Sequence, residues 1–293
     1  MRYKIKHVTE YHYQETVSTG HNRLCLVPLN LPEQQCLSSD IAISPTPDEL
    51  IYRTDFFGNT LLFISIYKEH AQLEIVSEST VAMESRQNAG KASHSPIVWH
   101  DVKNFIALRG EIYADVVQYS LPSLHVPYSE EIRNFAMDCF PEGSTLWNGC
   151  QNLMRKIYSS LEFKPGFTTV NTPVESVLKS RKGVCQDFAH LMIACIRNVG
   201  LPARYVSGYI ETFPPPGKEK LVGSDASHAW VSVYFPEIGW VEFDPTNNLL
   251  PDTNHITVAY GRDYFDVAPI KGIIFSSGKQ NIIVKVDVTR LID

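Results

Sequence analysis

The chain has 293 residues, 44% of them hydrophobic and 20% charged, a mix able to bury a core and too apolar for a disordered segment; its length suits two ordinary domains. The formal net charge is −6 and no run of Lys or Arg exceeds a pair, so there is no electrostatic footprint for nucleic acid or for an anionic membrane. Six cysteines, Cys25, Cys36, Cys139, Cys150, Cys185 and Cys195, are scattered without a CxxC pair; no disulfide framework is indicated, and most read as buried thiols.

The N-terminus, MRYKIKHVTEYHY, alternates polar and apolar residues and reads as a first strand rather than a secretory signal. No window reaches the roughly 18 apolar residues of a spanning helix, so a soluble, cytoplasmic protein is expected. Strand patterns continue through LLFISIY and LEIVSESTVAM. Turn signals lie at PTPDE near residue 47 and at DFFGN, Asp55 to Asn59, where Gly58 and Asn59 are expected to supply positive φ. The small, polar stretch 84–96 marks a junction. Residues 1–95 are therefore a β-rich domain and residues 96–293 a second domain, with its core at 145–250 and an apolar run from Ile270 to Leu291 returning to a sheet.

Helical periodicity begins near residue 128 with SEEIRNFAMDCF and STLWNGCQNLMRKIYSSL, Ser144 being the expected N-cap of the second. A third helix carries Phe188, Leu191, Met192, Cys195, Ile196 and Val199 at steps of three and four and stops at Gly200 and Pro202. Cys185 falls at its N-terminal end, where unpaired N–H groups and the helix dipole favour a thiolate; Gly183 before it would admit close approach of backbone or substrate, and Gln186 and Asp187 follow in the first turn. Strand-like ARYVSGYIETF, HAWVSVYF and GWVEFD come next, making the chain α+β.

His228 and Trp230 share one face of their strand, and Asp244 ends the next. A hairpin loop of 235–237 puts Asp244 opposite His228, whereas a loop of 236–239 puts it opposite Val231 with His228 on the other face. His190 projects about 140 degrees away from Cys185 around the helix, which suits a structural bond beneath the site better than a base. Asp225 and Asn247 flank His228 and Asp244 as supporting candidates or as turn residues. Tyr205, Tyr209 and Trp230 could line a pocket or belong to the core. The Pro- and Gly-rich segment 213–225 is a cover for the cleft or an ordinary exposed loop. His190, His228, Cys185 and Cys195 match no compact zinc spacing, and neither metal nor cofactor is expected.

SRKGVCQDFAHLMIACIRNVGLPARYVSGY and DASHAWVSVYFPEIGWVEFDPTNN together resemble the core of the transglutaminase-like superfamily in its bacterial branch, where a Cys in GxCxDFA, a His in HAW and an Asp in DPT occur in this order. The N-terminal half with its DFFGN turn, and GRDYFDVAPIKG at 261–272, resemble the flanking regions of that branch. The resemblance implies a papain-like core, with the cysteine helix packed on an antiparallel sheet. It also implies Cys185 as nucleophile, His228 as base and Asp244 as the residue orienting it, acting on a peptide or protein amide through an acyl-enzyme. Cross-linking members carry an aromatic residue directly after the cysteine, where this chain has Gln186, so hydrolysis is expected before amine transfer. A silent binding domain on the same fold is the third reading, and all three triad positions are filled here.

Overall fold

The computed structural model describes residues 1–107, 114–212 and 227–291; Asp225 and the segment 213–225 lie outside the described residues. The first unit is built of strands: β1 (Arg2–Val17), β2 (Thr19–Leu24), β3 (Gln34–Ser44), β4 (Glu49–Thr54), β5 (Thr60–Ile66) and β6 (His70–Met83). At the start of β1, Tyr3, Ile5 and His7 are buried between exposed neighbours, the period-two pattern of a strand with one wet face. The C-terminal run forms β13 (Ile270–Phe275) and β14 (Gln280–Leu291), which pair antiparallel with β2 and β1. Two four-stranded sheets result, β14-β1-β6-β3 and β13-β2-β5-β4, so residues 270–291, grouped above with the second domain, pair with the first. Tyr13, Val17, Leu24, Ile64 and Ile75, from both sheets, share one core.

The second unit contains α4 (Glu130–Met137), α5 (Leu146–Ser160), α6 (Val174–Ser180) and α7 (Cys185–Asn198), preceded by the short α1 (Asn88–Ser93), α2 (Asp101–Ala107) and α3 (Ala114–Val117); it also has a short parallel pair, β7 (Glu162–Phe163) and β8 (Lys182–Gly183). The N-cap of α5 is Thr145, whose hydroxyl accepts from the Asn148 N–H at 3.2 Å, and not Ser144, whose own N–H closes a turn onto the Pro141 carbonyl. The antiparallel sheet has the order β11-β10-β9-β12, from β9 (Ala203–Ile210), β10 (Ser227–Phe235), β11 (Gly239–Phe243) and β12 (His255–Gly261). Its Ala229, Val231, Val233 and Phe235 share the main core with α7. That helix is buried nearly all round, Ala189, Ile193 and Ala194 along with Phe188, Leu191, Met192, Cys195 and Ile196 of the predicted stripe, while Val199 is its half-buried C-cap; the helix lies inside the domain rather than on its surface. No helix among the described residues is long and apolar enough to cross a membrane.

The other face of this sheet meets the first unit, where Trp230, Val206 and Tyr260 pack with Leu29 and Leu31. β12 is an edge strand, and its outer backbone groups are taken by groups of the first unit. Gln34 donates to the Thr257 carbonyl and accepts from its N–H, both at 2.7 Å. Asn59 treats Tyr260 in the same way, at 2.8 and 2.9 Å. In the DFFGN turn Gly58 has the positive φ, 85°. Asn59 does not; it is fully buried, held by Asp55, whose carboxylate accepts from the Phe57 and Asn59 N–H groups at 2.8 Å each.

Asn59→Ala strips two hydrogen bonds from a buried backbone and leaves the Tyr260 N–H and C=O unpaired. A loss of about 2 kcal/mol is expected, at 1 to 3 kcal/mol for an unsatisfied buried group, and a lowered urea midpoint would measure it.

Candidate active site

Cys185 is the first residue of α7, and the N-cap before it, Val184, has no side-chain acceptor. Asp187 supplies one, its carboxylate accepting from the Val184 N–H at 2.8 Å and from the Thr168 hydroxyl at 2.6 Å. This is the carboxylate half of a capping box. A Cβ at position 183 would lie 2.7 Å from Asp187 Oδ2, so Gly183 makes room for the capping carboxylate. Burial pushes the Asp187 carboxyl above its ordinary range, against the pull of the Thr168 and Val184 hydrogen bonds. Gln186 donates from Nε2 to the Val170 carbonyl at 3.2 Å and so ties the helix start to a neighbouring loop. As the first helical residue, Cys185 has a backbone N–H without an acceptor in its own helix.

Neither hairpin register weighed from the sequence occurs. Phe235 pairs with Gly239 and Val231 with Phe243, leaving a loop of 236–238 in which Glu237 takes a φ of 67°. This register is one residue pair away from the first alternative and keeps its parity, so His228 and Asp244 share a face and meet diagonally. His228 Nε2 donates to Asp244 Oδ2 at 2.8 Å, and Cys185 also acts on the imidazole, favouring its charged form. With Nε2 committed to the carboxylate, Nδ1 is the nitrogen left for sulfur.

Burial is the largest influence on His228 and disfavours its charge. The hydrogen bonds and charges of Asp244 and Cys185 outweigh it and push the imidazole up to about 10. Asp244 is fully buried, which opposes its charge, yet His228 and His255 hold its carboxyl well below the usual range. Burial pushes the thiol of Cys25 up to about 12 and raises those of Cys36, Cys139, Cys150 and Cys195. All six cysteines are free, and only Cys36 and Cys185 are partly exposed.

Asn247 joins the site directly: its Nδ2 donates to Asp244 Oδ2 at 2.7 Å, while the Thr246 and Asn247 N–H groups reach Oδ1 at 2.9 and 3.2 Å. Trp230, fully buried, donates from Nε1 to Glu242 at 2.8 Å and lies 5.9 Å from the His228 ring; it backs the histidine rather than facing a cleft. Gly208, paired with His228, leaves room for that indole, since a Cβ there would sit 2.6 Å from it. Tyr205 and Tyr209 are core residues. His190 accepts the Tyr264 N–H at 3.1 Å and stacks on His125, a structural duty away from the pair.

Sequence reasoning missed His255. It opens β12, fully buried, with Nε2 3.2 Å from Asp244 Oδ2. A signal was available: His255 precedes the apolar run ITVAY much as His228 precedes AWVSV. Among the described residues, His228, Asp244 and His255 are the group whose potential metal-ligand atoms lie within 4.8 Å of one another. A separation of 2.8 Å between His228 Nε2 and Asp244 Oδ2 is that of a direct hydrogen bond, whereas two ligands of a tetrahedral zinc stand roughly 3.3 Å apart.

Residues 139–245 match the family model of the Transglutaminase-like superfamily, and residues 3–82 that of the Bacterial transglutaminase-like N-terminal region. An uncharacterized protein of Mycobacterium tuberculosis is 36% identical over 98% of this chain and 92% of its own length. A Protein-glutamine gamma-glutamyltransferase of Pseudomonas aeruginosa is 36% identical over 90 residues, 30% of this chain and 14% of that protein. The crystal structure of "a Putative Cysteine Protease from Cytophaga hutchinsonii" superposes with a TM-score of 0.77 at 21% identity, covering all of this chain and 92% of that one. That last likeness bears on the fold.

Asp244→Asn removes the negative charge that keeps His228 protonated. The wild-type ring should remain an imidazolium between its ordinary 6.5 and about 10. In the variant, burial should bring the loss of the proton to lower pH, which histidine NMR resonances followed across that window would show.

Proposed function

Because the chain belongs to the transglutaminase-like superfamily and carries its bacterial N-terminal region, we propose that it is a cysteine-dependent enzyme that hydrolyses a peptide or isopeptide amide. The observation that carries this reading is the His228 imidazole, held at 2.8 Å by the buried Asp244 carboxylate and raised in pKa by Asp244 and Cys185 together. A raised His228 pKa beside a thiol at a helix N-terminus favours a thiolate–imidazolium pair in the resting site.

The Cys185 thiolate attacks the amide carbonyl carbon, forming a C–S bond and a tetrahedral oxyanion that the Cys185 backbone N–H faces as one donor. Collapse breaks the C–N bond, and the proton held on His228 Nδ1 goes to the departing amine. The neutral imidazole then takes a proton from water, whose oxygen attacks the thioester, and the carboxylic acid leaves as the thiolate and imidazolium are restored. Asp244 holds the ring and offsets its charge throughout. Amine transfer is the second reading, favoured by the glutamyltransferase likeness over 90 residues; the two differ in whether water or an amine takes the acyl group. Gln186, in place of an aromatic residue beside a partly exposed Cys185, supports access for water.

Iodoacetamide labelling from pH 5 to 9 tests the nucleophile without a substrate. Cys185 should react far faster than Cys36, with the fast phase absent in Cys185→Ala and slowed about a hundredfold or more in His228→Ala. Labelling at the rate of an ordinary thiol, indifferent to His228, would return the chain to a silent binding domain. Acyl partition between water and added hydroxylamine then separates hydrolysis from transfer.

A further inference from the structure

Asp244 receives more donors than orienting one histidine requires, and one of its two further side-chain donors is an imidazole. We infer that His255 is a positioning residue: a neutral ring that donates its Nε2 hydrogen to Asp244 Oδ2 and fixes the plane in which that carboxylate holds His228. The inference rests on the Cys185–His228–Asp244 reading above.

His255 has little freedom to do otherwise. Its ring is fully buried, with Trp230 edge-on at 5.2 Å and His228 at 6.0 Å between centroids. Its backbone is pinned at both ends, the N–H donating to the Asp252 carbonyl at 3.0 Å and the carbonyl accepting from Arg86 Nη2 at 2.8 Å. Nε2 lies 3.2 Å from Asp244 Oδ2, and a carboxylate oxygen can only accept, so the hydrogen is on Nε2. Burial lowers the His255 pKa despite the pull of Asp244, which keeps the ring neutral beside a charged His228. Nδ1 is then an acceptor. It lies 2.9 Å from the side-chain oxygen of Asn254; that oxygen only accepts, so a neutral ring with its hydrogen on Nε2 requires the amide to turn and present its NH₂.

Three donors converge on Oδ2, from His228, Asn247 and His255, and two backbone N–H groups on Oδ1. Rotating the carboxylate breaks several of these at once. Since Asp244 grips His228 through Nε2, the carboxylate plane sets where Nδ1 points, and hence its line to Cys185. The other charged neighbour, Glu242, is engaged by Trp230 and Arg86.

Two measurements test this. The ¹⁵N spectrum of the wild-type protein at neutral pH should show His255 with hydrogen on Nε2 and none on Nδ1; the opposite tautomer overturns the inference without any variant. Cys185 alkylation should fall about tenfold or more in His255→Phe, which keeps the ring and loses the donor, and recover most of that loss in His255→Gln, which restores an N–H at that reach. In an Asp244→Asn background His255→Phe should cost nothing further, as for a residue acting through Asp244. Equal rates for Phe and Gln, or full multiplicative losses in that background, overturn it. The downfield His228 Nε2–H resonance, sharp in wild type and His255→Gln and broadened in His255→Phe, reports positioning independently of thiol reactivity. A slow wild-type thiol with that pattern intact would sink the enzyme reading alone.

Discussion

A carboxylate placed where water cannot reach it is the constraint around which this site is arranged. Asp244 is fully buried, and a buried charge survives only when paired and hydrogen-bonded. Five donors surround it, three on Oδ2 and two on Oδ1, and their combined pull overcomes desolvation to hold the carboxyl well below its usual range. His228 faces the same opposition between burial and partners and is resolved toward the charged form. His255, in contact with the same oxygen, is resolved toward the neutral form. One buried anion thus meets two imidazoles that burial and partners drive in opposite directions.

The donors come from separate elements, and this is where the fold enters. His228 lies in β10, Asn247 and the two backbone N–H groups follow β11, and His255 opens β12. The first two are coupled by the hairpin. β12 instead is an edge strand whose outer groups are met by Gln34, Asn59 and Leu29 of the first unit. An exposed edge would otherwise be a template for pairing with another chain. The β-rich unit therefore closes the sheet of the second unit on the side away from β11, and Arg86, from the junction between the units, fixes the carbonyl of His255 itself.

What the sequence made legible follows from what each pattern encodes. Period-two alternation gave β1 its buried face, and helical spacing gave α7 with Cys185 at its start, because these depend on local geometry and burial. Hairpin parity was posed by the sequence but not decided: the two loops weighed from it differ in whether His228 and Asp244 share a face, and the observed loop has the parity that lets them do so while moving the pair to a diagonal. The exact loop was not legible, since a glutamate at positive φ, as Glu237 is here, carries no sequence signal. Nor was the return of 270–291 to the first unit, because an apolar run specifies burial and not its partner. Asn59 was read as a turn former. Its burial depends on Tyr260, some two hundred residues away, which no local window contains.

His255 shows why a polar residue at the head of an apolar strand is informative. A fully buried imidazole needs partners for both nitrogens, and here they are Asp244 and Asn254. Packing alone would be met by an aromatic ring without nitrogen, and hydrogen bonding alone by a shorter amide; only a group with a flat face against Trp230 and a donor at its far tip does both. The same joint demand explains Trp230, which fills the space left by Gly208, backs His228 and still finds Glu242 for its indole N–H. Arg86 in turn balances Glu242 at 2.9 Å. A rigid acid is thereby supported through two layers of side chains, and the outer layer is anchored at the seam between the units, so loosening that seam would be felt first in the orientation of Asp244 rather than in the placement of Cys185, which α7 holds from inside the core.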